Sequence, residues 1–91
     1  MSIKINVGWH LQRFTTSGQR MVETVGRNVG ECLENLEIQF PGIKEQLCVG
    51  QRRLNGPYQI YVKSANLYTT KLAKPVKEND ELTIRFMAHG G

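Results

Sequence analysis

Two histidines, two cysteines and a final pair of glycines are the residues of this 91-residue chain whose types and spacing could do chemistry. His10 and His89 lie at opposite ends, neither beside a serine or cysteine in a nucleophile context. No G-x-S-x-G, H-E-x-x-H or phosphate-cradling G-x-x-x-x-G-K-[ST] pattern occurs. Cys32 falls on an apolar helical stripe and reads as core filler, because a buried, uncharged thiol is inert. Cys48 follows a helix, with Arg52 and Arg53 nearby in a polar loop. Those charges could lower its pKa, but an ordinary loop thiol is the favoured reading. A metal needs three or four converging ligands, and the spacing supplies no such set. The chain is expected to catalyse nothing alone and to bind no metal or cofactor of its own.

The final Gly90-Gly91 offers a different chemistry. Glycines lack a Cβ, so they can thread a channel too narrow for side chains and adopt φ values that other residues avoid. The group they would deliver is the chain's own carboxylate. At neutral pH a carboxylate is a poor electrophile, so its use requires activation by another protein's ATP. An acyl-adenylate would then expose the carbonyl carbon to attack by sulfur or by an amine.

Positioning such a tail requires a folded body, and the elements of one are legible. Ile3, Ile5, Val7 and Trp9 alternate with Lys4, Asn6 and Gly8, as in a half-buried strand that Leu11 and Phe14 could extend. A turn around Thr15-Thr16-Ser17-Gly18 leads to a second strand, Met21 to Val25, so a hairpin is expected. Asn28 is a candidate N-cap with Glu31 three positions later, a capping-box arrangement. Val29, Cys32, Leu33, Leu36 and Phe40 form one helical stripe, which Pro41-Gly42 ends. Another helical turn over Ile43 to Leu47 precedes a polar loop from Cys48 to Pro57. Tyr58 to Lys63 alternates as a strand, Leu67-Tyr68 reads as a short one, and Thr70 to Ala73 as a brief helical turn. Lys77-Glu78-Asn79-Asp80 is a tight turn, and Leu82, Ile84 and Phe86 mark the last strand. Ile3, Ile5, Val7, Ile60, Val62, Leu82, Ile84 and Phe86 should pack under the helix, with Trp9 covering one end. The β-β-α-β-β order implies an α+β domain in which one mixed sheet carries a helix on one face. That domain is expected to span residues 1–87, with 88–91 a flexible tail.

Bulk properties narrow the partners. A chain of this length buries one modest core, so a cleft between domains is excluded. Composition is that of an ordinary globular domain, with 40% apolar and 22% charged residues. No apolar run approaches the ~18 residues of a membrane span, and the first residues do not read as a signal peptide. With Cys32 and Cys48 far apart, free thiols and a cytoplasmic location are expected. Twelve Lys and Arg against eight Asp and Glu give a net charge of +4. Tyr58, Tyr61 and Tyr68 could offer stacking faces to RNA, but the charges are scattered and no RNP or zinc-finger pattern accompanies them. A basic RNA-binding module is therefore the least favoured reading.

The strand order, the Val29-Gly30-Glu31 helix start, Phe40-Pro41-Gly42, the turn Lys77 to Glu81, the strand Leu82 to Phe86 and Gly90-Gly91 together resemble the MoaD/ThiS sulfur-carrier family. The resemblance covers nearly the whole chain and implies a ubiquitin-like β-grasp fold. It further implies that Gly91 is adenylated by an ATP-dependent, ubiquitin-activating-type partner and converted to a thiocarboxylate. That group would donate sulfur within a second partner, a sulfur-accepting synthase. Met87, Ala88, His89 and Gly90 match the family's channel-threading tail, with His89 standing where a small apolar residue is more usual. Length and the Phe-Pro-Gly segment favour a molybdopterin-type or cysteine-pathway carrier over the shorter thiamine type, molybdopterin first. The main rival is a ubiquitin-like modifier, whose activated Gly91 is joined to a lysine amine.

Overall fold

The computed structural model describes residues 1–15, 18–49 and 53–87. Strand β1 (Ser2–Asn6) pairs antiparallel with β2 (Met21–Val25), as expected for the hairpin. Between them the alternation through Trp9 breaks at Gly8, whose φ of +74° turns the chain into a short helix, α1 (Gly8–Leu11), and then one 3-10 turn. A side chain is strained at such a φ, whereas glycine is not. The Asn6 side-chain oxygen accepts from the Gly8 N–H at 2.9 Å and fixes the break. Leu11 points into the core, but Trp9 does not cover it: the indole is 71% exposed.

Helix α2 (Val29–Gln39) begins as its sequence requires. The Asn28 side chain accepts from the Glu31 N–H at 2.8 Å, and the Glu31 carboxylate reaches back to the Arg27 N–H at 2.8 Å. The first N–H groups of α2, at Val29 and Gly30, donate to Lys74 and Leu72 carbonyls of the loop that precedes the last strand. Val29, Cys32, Leu33, Leu36 and Phe40 are all buried, which confirms the stripe. On its flank, Asn35 and Gln39 donate to the Val25 and Glu23 carbonyls, shielding part of the edge of β2. Gly42 adopts φ +101° to end the helix, and the Glu37 carboxylate accepts from the Gly42 and Lys44 N–H groups. Helix α3 (Ile43–Leu47) follows directly.

The stretch expected as a polar loop after Cys48 contains two short strands, β3 (Cys48–Val49) and β4 (Arg53–Leu54), paired antiparallel. Two residues per strand are too few for alternation to be read. Strands β5 (Tyr58–Val62) and β6 (Leu67–Thr69) are as expected, but Thr70 to Ala73 forms no helix. Instead Lys74 N donates to Lys71 O, turning the chain so that its carbonyls meet α2. The last strand, β7 (Glu81–Phe86), lies between β1, to which it is parallel, and β5, to which it is antiparallel. The sheet order β2-β1-β7-β5-β6 puts β7 at the centre of a mixed sheet with α2 on one face, a ubiquitin-like β-grasp arrangement. Ile3, Ile5, Val7, Ile60, Val62, Leu82 and Ile84 form the sheet side of the core, while Phe86 is only half-buried. No described helix is long and apolar enough to cross a membrane.

Candidate functional site

Everything that could present the glycine pair must act through the end of β7. Strand β1 accompanies β7 only as far as Thr83, opposite Asn6, whereas β5 continues to Phe86, opposite Tyr58. Beyond it, Met87 N donates to Pro57 O at 2.6 Å, and the half-buried Met87 is the last residue described. Of the expected tail residues, Ala88, His89, Gly90 and Gly91 lie outside the described residues. Met87 is held to the fold by its backbone.

Aromatic packing fixes this exit. Phe86 lies against buried Tyr58, ring centroids 5.0 Å apart, and is covered by His10 in a near-parallel stack at 4.1 Å and 8°. Trp9 meets the His10 ring edge-on at 5.3 Å. These rings and the Gly8 backbone enclose a recess of about 60 Å³. His10 is thus a packing partner of the strand end. Its residue type and its distance from His89 in the chain do not announce this contact. The available signal was Gly8, since a glycine inside an alternating pattern marks a bend.

Comparison with known proteins bears on the same architecture. No protein-family model and no curated protein matches the sequence. Among solved structures, a chain of the Amycolatopsis orientalis BexX/CysO complex is 27% identical, with a TM-score of 0.85 and coverage of 98% of this chain and 99% of that one. Mycobacterium tuberculosis CysO superposes with a TM-score of 0.81 at 24% identity, covering 94% and 99%. SAMP1 from Haloferax volcanii gives 0.78 at 18% identity over the full length of both chains. The chain has the ubiquitin-like β-grasp fold of these structures, as its resemblance to the MoaD/ThiS family implied.

Within this ubiquitin-like fold the other candidates are quiet. Cys32 is buried, and desolvation, helped by the Glu31 charge, pushes its thiol up to about 11. Cys48 is half-buried, and burial raises its thiol too; the Lys44 charge offsets this only partly. Burial thus works against the lowered pKa conceivable beside Arg52 and Arg53; Arg52 and the Arg53 side chain lie outside the described residues. Both thiols are free. Burial also raises the Tyr58 phenol, with the Arg13 charge acting against it. Its hydroxyl makes no hydrogen bond among the described residues, the Gln46 amide approaching without adequate geometry. Tyr58 thus has no free stacking face. Tyr61 and Tyr68 do lie on the open face, 5.1 Å apart, with the Arg85 guanidinium 5.1 Å above Tyr68.

A concavity of about 640 Å³ lies at the opposite end of β7, around Ser2, Lys63 and the turn at Asp80. Asp80 is 4% exposed, and its carboxylate accepts from the Ser64 N–H and hydroxyl, the Lys77 N–H and the Glu81 N–H. Burial alone would raise its pKa; these hydrogen bonds outweigh burial and hold it below the ordinary value. A carboxylate so fully engaged is structural. Among the described residues no three His, Cys, Asp or Glu side chains gather as a metal site would need.

Proposed function

We propose that this protein is a sulfur carrier and acts as a covalent cosubstrate of partner enzymes. The observation that carries the reading is the central strand β7, pinned at Phe86 and directed toward Gly90-Gly91, in a fold that superposes along nearly its whole length on a chain of the BexX/CysO complex. A compact body with a glycine-ended extension can deliver its carboxylate into a partner too narrow to admit side chains.

The chemistry proposed at Gly91 is as follows. Its carboxylate attacks the α-phosphate of ATP in a ubiquitin-activating-type partner, releasing pyrophosphate and leaving an acyl-adenylate. A sulfur nucleophile at the sulfide level displaces AMP and gives the thiocarboxylate. In a second partner, the synthase, that sulfur attacks an acceptor carbon and expels its leaving group. Hydrolysis of the acyl–sulfur bond then restores the carboxylate and leaves the thiol on the acceptor. Residues 88–91, with Met87 at their root, are the part that enters the partners; the chain itself holds no cofactor, and ATP belongs to the adenylating enzyme. Length and Phe40-Pro41-Gly42 favour a molybdopterin or a cysteine precursor over a thiazole precursor as acceptor. The name CysO, carried by two of the similar structures, favours a cysteine precursor. Parallel assays with the two acceptors separate them. A cytoplasmic setting fits the two free thiols.

The test is the intact mass and terminal fragmentation of the protein isolated from its own cells. Replacement of one oxygen by sulfur at Gly91, captured by a thiol-selective label, is the expected result. The label is needed because oxidation of any of the three methionines adds nearly the same mass. An isopeptide between Gly91 and a lysine would make the protein a modifier instead. Deleting Gly90-Gly91 should abolish sulfur delivery while leaving the domain folded, and delivery by the truncated chain would overturn the proposal.

A further inference from the structure

Trp9 is the chain's sole tryptophan, and it stands 71% exposed immediately beside the exit of the tail. An exposed indole on a mobile loop would mean little, but this one is held. Its backbone belongs to α1, locked by Gly8 and Asn6, and its ring rests edge-on against His10, which stacks on Phe86. Trp9 and the strand that leads into the tail are therefore parts of one rigid unit. A preorganised aromatic group loses little freedom when a partner covers it, and tryptophan is enriched among the residues that dominate interfaces.

The side-chain charge in the segments next to it is mainly positive. All eight Asp and Glu side chains of the sequence fall at positions 23–45 and 78–81. Residues 7–15, 18–20, 55–59 and 83–87, which flank the end of β7, contain none and contribute Arg13, Arg20 and Arg85, all exposed, while α3, whose Gln46 lies near Tyr58, adds Lys44 and the exposed Glu45. Among the described residues the only ion pair is Lys44 with Glu34, so none of these arginines is paired with a carboxylate there. Glu81, at the start of β7, is separated from Phe86 by about 16 Å of extended strand. The +4 net charge is thus unevenly placed along the chain, with three exposed arginines in the segments that flank the exposed indole and the end of β7.

We propose that Trp9 is a docking anchor, received by an apolar recess rimmed with carboxylates on the ubiquitin-activating-type partner that takes the tail, with Arg13, Arg20 and Arg85 meeting that rim. This rests on the sulfur-carrier reading, because that reading supplies a partner at this end of the molecule. Docking at Trp9 registers the body against the partner while the glycines enter its channel. Opposite charge speeds the encounter and rejects carriers with an acidic exit.

The test uses the full chain labelled with 5-fluorotryptophan, which has a single fluorine resonance because there is one tryptophan. Adding the purified ubiquitin-activating-type enzyme of the same cell should shift that resonance and shield it from iodide. In ATP–pyrophosphate exchange, Trp9→Ala should raise the KM for the carrier about 30-fold or more with kcat little changed. Trp9→Phe should recover part of that loss. Arg20→Glu should raise KM several-fold at low salt, with the difference fading as salt screens it. Ile38→Ala, at an equally exposed apolar residue of α2, is the control and should leave KM unchanged. Matching thermal midpoints establish that each variant is folded. Normal adenylation with an unmoved resonance and an unchanged KM for Trp9→Ala overturns the anchor and leaves the carrier reading intact. No adenylation of the unaltered chain, with no sulfur at Gly91, removes the carrier reading and the anchor with it. A shift induced by oligouridylate but not by the enzyme overturns the proposal in favour of a nucleic-acid surface.

Discussion

At its first residue β7 is fastened by a carboxylate, and at its last by stacked rings. The Asp80 side chain draws together Ser64, Lys77 and Glu81 through four directional hydrogen bonds, and almost none of it is left for solvent. Phe86 is held by contacts that have no donor or acceptor: Tyr58 beneath it and His10 above it. A hydrogen-bonded knot tolerates little substitution, because each donor stranded without its acceptor keeps its desolvation cost. A stack of rings is forgiving of small changes and leaves faces exposed. The central strand is therefore anchored firmly at the end remote from the proposed chemistry, and more adaptably at the end that precedes the glycines in the sequence.

The comparison is broken most readily at Asp80. Asp80→Ala should cost about 2–4 kcal/mol, since it removes four hydrogen bonds at once and leaves the part-buried N–H groups of Ser64 and Glu81 and the Ser64 hydroxyl without their acceptor. In a domain of this size that lowers the thermal midpoint by roughly 10–25 °C. Urea unfolding read by circular dichroism measures it. A loss below about 1 kcal/mol would mean that Asp80 is not the fastening it resembles.

The same carboxylate sets a pH dependence. Its folded pKa lies below the ordinary 3.8, so between those two values the unfolded chain binds more protons than the folded one. The stability it contributes is accordingly complete above about pH 4–5 and falls as pH drops through the folded value. Asp80→Asn should be less stable than the unaltered chain at pH 7, by roughly 1–3 kcal/mol, and the gap should narrow below about pH 4. Unfolding curves taken from pH 7 to pH 2 test this. A gap constant with pH would assign the stabilisation to shape instead of charge.

Phe86→Ala should cost about 1–2 kcal/mol, less than Asp80→Ala although far more side chain is removed. Phe86 is half-buried, and water can refill part of the vacated space. A loss equal to that of Asp80→Ala would erase the contrast between the two ends.

These differences also show what can be read from a linear sequence. The Asn28–Glu31 cap and the Val29 to Phe40 stripe depend on neighbours three or four residues apart, and both were legible. So was the order of the strands, because Ile3, Ile60 and Leu82 each sit in a local alternation. The turn at Lys77 to Asp80 was visible, but its fastening was not. Half of the Asp80 bonds come from Ser64, sixteen residues earlier, and no local pattern announces that pairing. At the other end, alternation carried the strand through Trp9 and buried the indole. One left-handed residue, Gly8, reverses that outcome by turning the ring outward. The Gly90-Gly91 pair was the most informative motif in the sequence, while the fold shows how its root, Met87, is tied to Pro57.

Trp9→Ala carries the smallest expected effect on the fold and sharpens the comparison most. Its ring touches the stack only by an edge and remains 71% exposed, so its removal should change stability by no more than about 0.5 kcal/mol. His10→Ala, by contrast, uncovers Phe86 and should cost roughly 0.5–1 kcal/mol. If the aromatic end existed only to hold β7, the two substitutions would rank by their contact with the strand in every assay. The docking proposal requires the ranking to invert: Trp9, nearly irrelevant to unfolding, should matter more than His10 to the KM for adenylation. Measuring both variants in both assays decides it. An uninverted ranking would make the aromatic end a second structural fastening, differing from Asp80 in chemistry but not in purpose.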